Sequence, residues 1–263
     1  MKVFLDVGSH HGETLNEVLK KEYNFDKVFC FEPSSKALPF LEKEAEKDDR
    51  VTICPFGLSN KDDDVKLYNS GTLSGSIFKN ELDESDDVAE IINLKDTSKW
   101  FTENLSIDDF VVMKTNCEGS EVYIVESLIK SNLIKNIYSL LVTFDIREFK
   151  EFMHLERKIR KSLQQTGFNN FCFSEDVMIG STHDERIKHW LHLFGINEDS
   201  NDKYELSKKY KTNFERFSKM SGTAFYIESK FKSYIRFNQL PEFIKKPFRF
   251  LKKHLWTYRE KNS

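Results

Sequence analysis

A short apolar segment that runs into a glycine turn constrains most strongly how this chain can fold. Residues 3–7 are apolar except for Asp6, and Gly8 and Gly12 follow them before a polar stretch that favours a helix. A strand, a glycine turn and a helix in this order form the first unit of a parallel α/β sheet. The glycines let the backbone approach a ligand closely, because they have no Cβ atom.

A second apolar segment, residues 27–31, ends in Glu32 and Pro33. An acid at the end of the second strand accepts hydrogen bonds from ribose hydroxyls in nucleotide-binding sheets. The glycines of the first turn follow G-x-x-x-G and not the phosphate-binding G-x-G-x-x-G, and Asp6 would repel a pyrophosphate. The pattern therefore favours a cationic cofactor without phosphates, such as S-adenosylmethionine. The alternative is a strand, turn and helix that bind no ligand.

The rest of the chain continues the alternation of strands and helices. We predict strands at 3–7, 27–31, 51–56, 110–114, 137–144, 168–173 and 224–228, and helices at 13–21, 34–47, 97–104, 121–131 and 155–165. This order predicts a Rossmann-like α/β fold with a doubly wound, mostly parallel, seven-stranded sheet. Residues 65–68 alternate in polarity and predict a half-exposed strand, whereas the small, polar residues 69–76 fit either a substrate loop or a plain surface connection.

Length and composition indicate one globular domain with a tail. We predict a domain over residues 1–229, with an insertion at about 180–222 before the last strand, and a separate segment over 230–263. No apolar run is long enough to span a bilayer, and the first strand begins too early to leave room for a signal segment. The four cysteines lack C-x-x-C spacing, which favours reduced thiols and a cytoplasmic location.

The predicted tail differs in charge from the domain. Residues 230–263 contain ten Lys or Arg and two acids, a net charge of +8, whereas the remainder carries −11. A basic, aromatic, helical tail can contact the inner face of an anionic membrane or a glycosyltransferase, or pack on the domain as a lid. An acidic domain is not typical of nucleic-acid-binding proteins, so we expect no nucleic-acid partner.

Three motifs resemble the signature of the FkbM-type methyltransferases. They are Asp6-Val7-Gly8-Ser9-His10-His11-Gly12, Phe31-Glu32-Pro33 and Met113-Lys114-Thr115-Asn116-Cys117-Glu118-Gly119-Ser120-Glu121. The family pattern reads approximately D-V-G-A-x-x-G, F-E-P and L-K-x-D-x-E-G-x-E, and the resemblance covers roughly residues 3–150, with weaker similarity to about 228. It implies a Rossmann-like fold whose last strand is antiparallel, S-adenosylmethionine as donor, and methylation of an oxygen, often on a sugar. Asn116 stands where the family usually has Asp.

The resemblance and the strand ends together predict a cofactor site. The expected cofactor-binding residues are Asp6, Gly8, Ser9, His10, Gly12, Thr14, Glu32, Pro33, Gly57 and Asn116. Glu32 would accept two hydrogen bonds from the ribose diol, and Asp6 and Gly8 would face the positively charged methionine part. Phe56 or Leu58 could pack on the adenine or belong to the core.

Methylation of a sugar hydroxyl also needs a base or a metal ion, because the hydroxyl has a high pKa. The expected catalytic residues are Asp145, Glu118, Asn116 and Lys114. We favour Asp145, at the end of the fifth strand, as the base, and Glu118 as the second choice. Lys114 lies within an apolar strand and is expected to pair with a carboxylate such as Glu121.

Histidines and a metal ion are the remaining options for proton removal. His10 and His11 could act as a base or as ligands, because histidine titrates near neutral pH. They lie, however, in a turn where the backbone normally contacts the donor. Asn116, Glu118 and Asp145 could hold a hard cation, but no regular ligand spacing supports such a site, so we expect no metal.

The sequence therefore predicts an S-adenosylmethionine-dependent O-methyltransferase. Its expected acceptor is a sugar hydroxyl of a polysaccharide or glycan precursor, which the family resemblance alone implies. The alternatives are a methyltransferase of a small secondary metabolite or lipid, and an inactive Rossmann-like binding module, of which Asn116 would be the sign.

Overall fold

The computed structural model describes residues 1–79, 89–149, 151–174 and 182–196. These residues belong to the first of two units of the chain, Met1–Phe214. The predicted strand at 224–228, most of the predicted insertion and the tail at 230–263 lie outside the described residues. Within the described part, no helix combines the length and the apolar character needed to cross a membrane.

Strands and helices alternate along the described residues. The strands are β1 (Lys2–Val7), β2 (Lys27–Phe31), β3 (Val51–Cys54), β4 (Gly57–Ser59), β5 (Asp63–Leu67), β6 (Glu90–Asp96), β7 (Phe110–Thr115), β8 (Ile137–Val142) and β9 (Phe171–Phe173). The α-helices are α1 (Leu15–Val18), α2 (Leu38–Ala45), α3 (Thr97–Asn104), α4 (Glu121–Lys130), α5 (Met153–Gln165) and α6 (His183–Leu193).

The central sheet has six parallel strands in the order β3-β2-β1-β7-β8-β9. Counted within this sheet alone, the order is 3-2-1-4-5-6, that of the doubly wound nucleotide-binding folds. The chain moves outward in one direction from β1 to β3 and in the other from β7 to β9. The order therefore reverses between β1 and β7, and ligands in such sheets bind beyond the carboxyl ends of the strands at this point. The α/β class and the parallel sheet are as predicted, and the seventh strand stays a prediction.

Both faces of the sheet are buried because both carry apolar side chains. In β1, Val3, Leu5 and Val7 belong to the core that α3, α4 and α5 cover, whereas Phe4 belongs to the core that α1, α2 and α6 cover. Side chains of a strand alternate between the faces, so a strand covered on both sides is apolar throughout. This is why the continuous apolar runs predicted the central strands.

Helix α6 is attached to the second face by a tryptophan. Trp190 is fully buried, and its ring meets Phe4 edge to face at 6.0 Å. Its indole N–H donates a hydrogen bond of 3.0 Å to the hydroxyl of Ser139 in β8. The large apolar ring and the satisfied N–H together fix the helix on the sheet.

A second, three-stranded sheet has the order β4-β6-β5. Strands β4 and β6 are parallel, and β5 and β6 are antiparallel. The strand expected at residues 65–68 is present as β5, with alternating exposure. The sequence did not predict β4, which has three residues, or β6, which follows an acidic stretch.

The first helix is shorter than predicted. A helix was expected over residues 13–21, but α1 covers four residues and a 3₁₀ turn at Lys21–Tyr23 follows it. The buried carboxylate of Glu17 accepts hydrogen bonds from the Tyr23 hydroxyl and from Lys20 Nζ. These two bonds bring the chain back toward α1 soon after Val18, so the helix ends there.

Two glycines with similar backbone angles allow a matched test of the first turn. Gly8 has φ +79°, and a Cβ atom there would lie 1.9 Å from the carbonyl oxygen of Asn116. Gly167 has φ +74°, and a Cβ atom there would meet nothing within 4 Å. We expect Gly167→Ala to lower the free energy of unfolding by about 1–2 kcal/mol, the cost of a left-handed alanine. Gly8→Ala should cost clearly more, about 3 kcal/mol or above, because backbone must also move. Urea unfolding of both variants measures the difference, and equal losses would contradict the close approach.

Candidate functional site

A cleft opens at the carboxyl edge of the central sheet, at the point where the strand order reverses. It contains about 780 Å³ of empty space, part of which is open to solvent. The ends of β1, β2 and β7 form one side, with Gly8, Glu32 and Asn116 among the lining residues. The small sheet and the segment at residues 71–77 form the other side. All three motifs named above thus contribute to one cleft.

Glu32 follows β2 and is only 7% exposed. One of its carboxylate oxygens accepts the N–H of His10 at 2.8 Å, and the other accepts the N–H of Ser34 at 2.9 Å. Burial raises the pKa of Glu32, and the two N–H groups counteract this by favouring the ionised form. Each oxygen of a carboxylate can accept a further hydrogen bond, so Glu32 can still bind two hydroxyls of a ligand in the cleft.

The first glycine turn is tied to β2 by its own backbone. The N–H groups of Gly8 and Ser9 both donate to the carbonyl oxygen of Phe31 at 3.1 Å. The hydroxyl of Ser9 donates to the carbonyl oxygen of Asp6 at 2.7 Å. His10 has φ +48°, a left-handed conformation that few residues other than glycine adopt. The bond from its N–H to Glu32 holds it there, so the turn and the acid form one rigid unit.

Asp6 and Lys114 form a buried ion pair beneath this turn. Lys114 Nζ lies 2.8 Å from Asp6 Oδ1 and donates to the carbonyl oxygen of Gly8 at 3.0 Å. Asp6 is fully buried and Lys114 is 4% exposed. The two residues are directly opposite in the pairing of β1 with β7, which brings their side chains together. Lys114 thus pairs with a carboxylate, as expected, but the partner is Asp6 and not Glu121. Asp6 lies behind the turn and is not among the residues that line the cleft.

Glu121 instead connects the ends of β7 and β8. Its carboxylate accepts the N–H groups of Asp145 at 2.7 Å, of Ile146 at 3.2 Å and of Gly119 at 2.9 Å. Complete burial and the nearby charge of Asp145 raise the pKa of Glu121 to about 8. Asp145 does not line the cleft. The acid favoured as base from the sequence is thus held at the neighbouring strand end.

The third motif supplies a different acid to the cleft. Asn116, Cys117, Glu118 and Ser120 all line it. Glu118 has φ +49° and Gly119 has φ +112°, so the chain turns sharply between β7 and α4. The carbonyl oxygen of Glu118 accepts the Ser76 hydroxyl at 2.6 Å. A left-handed conformation at a residue other than glycine costs free energy, and such residues concentrate at functional sites.

The small sheet supplies an apolar wall that the sequence did not reveal. Besides Leu58, its members are Leu67, Leu73, Ile77, Ile92 and Leu94. Of the two residues considered for an adenine contact, Leu58 belongs to the core and also lines the cleft, whereas Phe56 packs against the same core and does not line the cleft. The residues of this wall come from three short strands and a loop, so no single sequence segment shows the pattern.

The loop at residues 69–76 is fastened to the β2 end and contributes to the cleft. The Ser34 and Ser70 hydroxyl oxygens are 2.8 Å apart, and Ser70 also donates to Glu90. Glu90 accepts the Ser35 N–H at 2.8 Å as well. Of the two interpretations of this loop, the contacts favour the substrate loop, because Gly71, Thr72, Leu73 and Gly75 line the cleft.

The predicted site residues divide into two groups. Those that line the cleft are Gly8, His10, Glu32, Pro33, Gly57, Asn116 and Glu118. Those that do not are Asp6, Ser9, Gly12, Thr14, Lys114 and Asp145. Two members of the second group contact helices instead: Thr14 Oγ1 is 3.1 Å from His183 Nε2 of α6, and a Cβ atom on Gly12 would lie 3.2 Å from Leu41 of α2.

Comparison with known proteins adds little to this geometry. No family model matches the sequence, and no curated protein matches it. Among solved structures, the crystal structure of the methyltransferase FkbM from Methylobacillus flagellatus matches 49% of this chain at 16% identity, with a TM-score of 0.34. The match spans 29% of that protein's chain. A TM-score this low does not establish a shared fold or function, so family membership stays a prediction.

The buried ion pair can be tested by removing its charges singly and together. Lys114→Met leaves Asp6 as an uncompensated buried charge, and we expect a loss of about 3–5 kcal/mol in the free energy of unfolding. Adding Asp6→Asn removes that charge, so the double variant should be more stable than Lys114→Met alone. The exposed pair of Lys99 and Asp62, whose charged atoms are 2.6 Å apart, provides a control, and Lys99→Met should leave the free energy of unfolding nearly unchanged. Urea unfolding measures these variants together with the single variant Asp6→Asn, and losses in the double variant equal to the sum of the two single losses would contradict the pairing.

Proposed function

We propose that this protein is an S-adenosylmethionine-dependent methyltransferase that methylates a sugar hydroxyl. The observation that carries the proposal is the position of Glu32. It is a buried carboxylate at the end of β2, it lines the cleft beside the glycine turn, and it can accept two further hydrogen bonds. An acid at this point of a doubly wound sheet is suited to a ribose diol.

The other lining residues fit the remaining parts of this donor. The apolar wall with Leu58 and Leu94 offers an apolar surface for an adenine ring. Gly8 lies where a side chain would collide with the backbone of Asn116, so the first turn and the third motif lie close together beside the cleft. When bound, S-adenosylmethionine supplies a methyl group activated by a positively charged sulfur.

The charges of the cleft support a cationic ligand. Lys114 is buried and neutralises Asp6, so neither residue presents its charge to the cleft. Among the described residues that line the cleft, the acids are Glu32 and Glu118, and none is Lys or Arg. A positively charged donor is therefore favoured over a nucleotide with phosphates.

We further propose Glu118 as the base that removes the proton of the acceptor hydroxyl. It lines the cleft, whereas Asp145 does not. Its left-handed backbone is held by the Ser76 bond, which fixes the start of its side chain. Proton transfer to a positioned carboxylate as the oxygen–methyl bond forms makes the hydroxyl a better nucleophile. The chain itself has to align the acceptor and hold this base.

The sugar acceptor is inferred from the motif resemblance.

Asn116 favours a second function, that of an inactive binding module. A neutral amide at the cleft cannot replace a carboxylate, which is consistent with an inactive binding module.

Contact of residues 230–263 with a membrane or a glycosyltransferase belongs to the methyltransferase proposal, and those residues lie outside the described ones.

Binding of the donor tests the position of Glu32. We expect Glu32→Gln to weaken binding of S-adenosylmethionine and S-adenosylhomocysteine by about 10- to 100-fold. A hydrogen bond to a charged acceptor contributes about 1.5–3 kcal/mol. The matched control is Glu42→Gln, at an exposed position of α2, which should leave the affinity unchanged. Isothermal titration calorimetry with the full chain measures both.

Two outcomes of this titration would count against the proposal. Failure of the unchanged protein to bind either ligand would favour the inactive module. Equal affinities of the unchanged protein and Glu32→Gln for these ligands would show that Glu32 does not contribute to donor binding. Circular dichroism of Glu32→Gln separates a binding defect from misfolding, because the side chain also holds His10 and Ser34.

Turnover distinguishes the two candidate bases. With a panel of methyl glycosides and nucleotide sugars as acceptors, we expect Glu118→Gln to lower kcat by about 10²–10⁴-fold, as for the loss of a general base. The affinity for S-adenosylmethionine should change little. Asp145→Asn, which alters an acid outside the cleft, should have the smaller effect on kcat. The rate of S-adenosylhomocysteine release measures kcat. A larger loss of kcat in Asp145→Asn than in Glu118→Gln would favour Asp145 as the base.

A further inference from the structure

Three potential metal ligands follow one another on the first turn, at the edge of the cleft. They are His10, His11 and Glu13, and one ligand atom from each lies within 4.8 Å of the other two. His10 also lines the cleft. The proposed methyl transfer uses the backbone of this turn and leaves these three side chains without a role.

The ring of His10 has unused bonding capacity. Its Nδ1 lies 2.9 Å from Glu13 Oε1. Its Nε2 is shielded from solvent and has no hydrogen-bond partner among the described residues. A buried polar atom without a partner costs free energy, and coordination of a metal ion by this nitrogen would remove that cost.

We propose that His10, His11 and Glu13 bind a divalent transition-metal ion. Two imidazoles and one carboxylate are a donor set that zinc, cobalt and nickel accept readily, whereas magnesium and calcium prefer oxygen ligands alone. Three protein ligands leave at least one coordination position open, as in metal sites that bind a further small ligand.

The backbone that carries these ligands is held in place. The His10 N–H is fixed by Glu32, and the Gly12 N–H donates to the Ser9 carbonyl oxygen at 2.8 Å. The His11 ring packs on the exposed Phe40 with ring centroids 4.4 Å apart. The metal therefore meets a preorganised turn and needs side-chain rotation only.

Metal binding requires one of the two imidazole rings to rotate. The His10 and His11 rings are stacked, with centroids 3.8 Å apart and planes inclined by 18°. An ion lies close to the plane of each imidazole that binds it, so one ring has to leave the stack. Ligand atoms at about 2.1 Å from a tetrahedral ion are about 3.4 Å apart, and the present ligand atoms already lie within 4.8 Å of one another before that rotation.

The position of the ion has a consequence that rests on the proposed function. Because His10 lines the cleft, an ion on its ring lies at the cleft edge. An open coordination position there can take the oxygen of an acceptor hydroxyl and lower its pKa. The ion would then assist Glu118 in proton removal.

Metal binding can be measured without any donor or acceptor. Full-length protein free of a polyhistidine tag is stripped with a chelator and titrated with Zn²⁺ and Co²⁺ by calorimetry, while the visible absorption of Co²⁺ reports its coordination. We expect one ion per chain. His11→Ala and Glu13→Gln should each weaken binding at least about tenfold. His154→Ala, an exposed histidine in α5, is the control and should not alter it.

The outcomes separate this site from the proposed function. The site is refuted if Zn²⁺ and Co²⁺ do not bind, or if they bind with an affinity that His11→Ala and Glu13→Gln leave unchanged. Neither side chain is fully buried, and thermal unfolding of both variants checks that they fold. Metal binding by a protein that fails to bind S-adenosylmethionine would leave the metal site standing and refute the methyltransferase.

Discussion

The buried pair of Asp6 and Lys114 is the interaction on which the site depends. It joins the two central strands at the point where the strand order reverses, and it also binds the carbonyl oxygen of Gly8. Burial of two charges is costly, and a short contact with a further hydrogen bond is needed to offset that cost. The pair therefore fixes both the register of β1 against β7 and the shape of the glycine turn above it.

This pairing also decides which charges a ligand meets. The sequence presents acids at the ends of β1, β2, β7 and β8, but Asp6 of β1 is paired with Lys114, and Asp145 beyond β8 is not among the residues that line the cleft. Glu32 and Glu118 are left to line the cleft. A ligand whose diol is separate from its positive charge would fit two separated carboxylates better than a single acidic cluster.

Most of the central sheet could be predicted from the sequence, because strands buried on both faces are continuous apolar runs. Glu32 could be placed for the same reason, since it directly follows such a run. The small sheet could not, because β4 has three residues and β6 alternates in exposure among charged residues. Its strands are specified by their pairing with distant segments and not by local propensity. The partner of Lys114 was missed because it depends on the register between β1 and β7.

The third motif explains how two acids three residues apart acquire different roles. Glu118 and Gly119 both have positive φ, so the chain reverses before α4 begins at Glu121. Glu118 stays on the cleft side of this reversal, whereas Glu121 enters the first turn of the helix and accepts the N–H groups at the β8 end. A Cβ atom at Gly119 would lie 2.8 Å from the Phe78 ring. Because the backbone at Gly119 separates the two carboxylates, a substitution there would disturb both. Gly119 thus affects both the hydrogen bonds that Glu121 accepts at the strand ends and the position of Glu118 in the cleft.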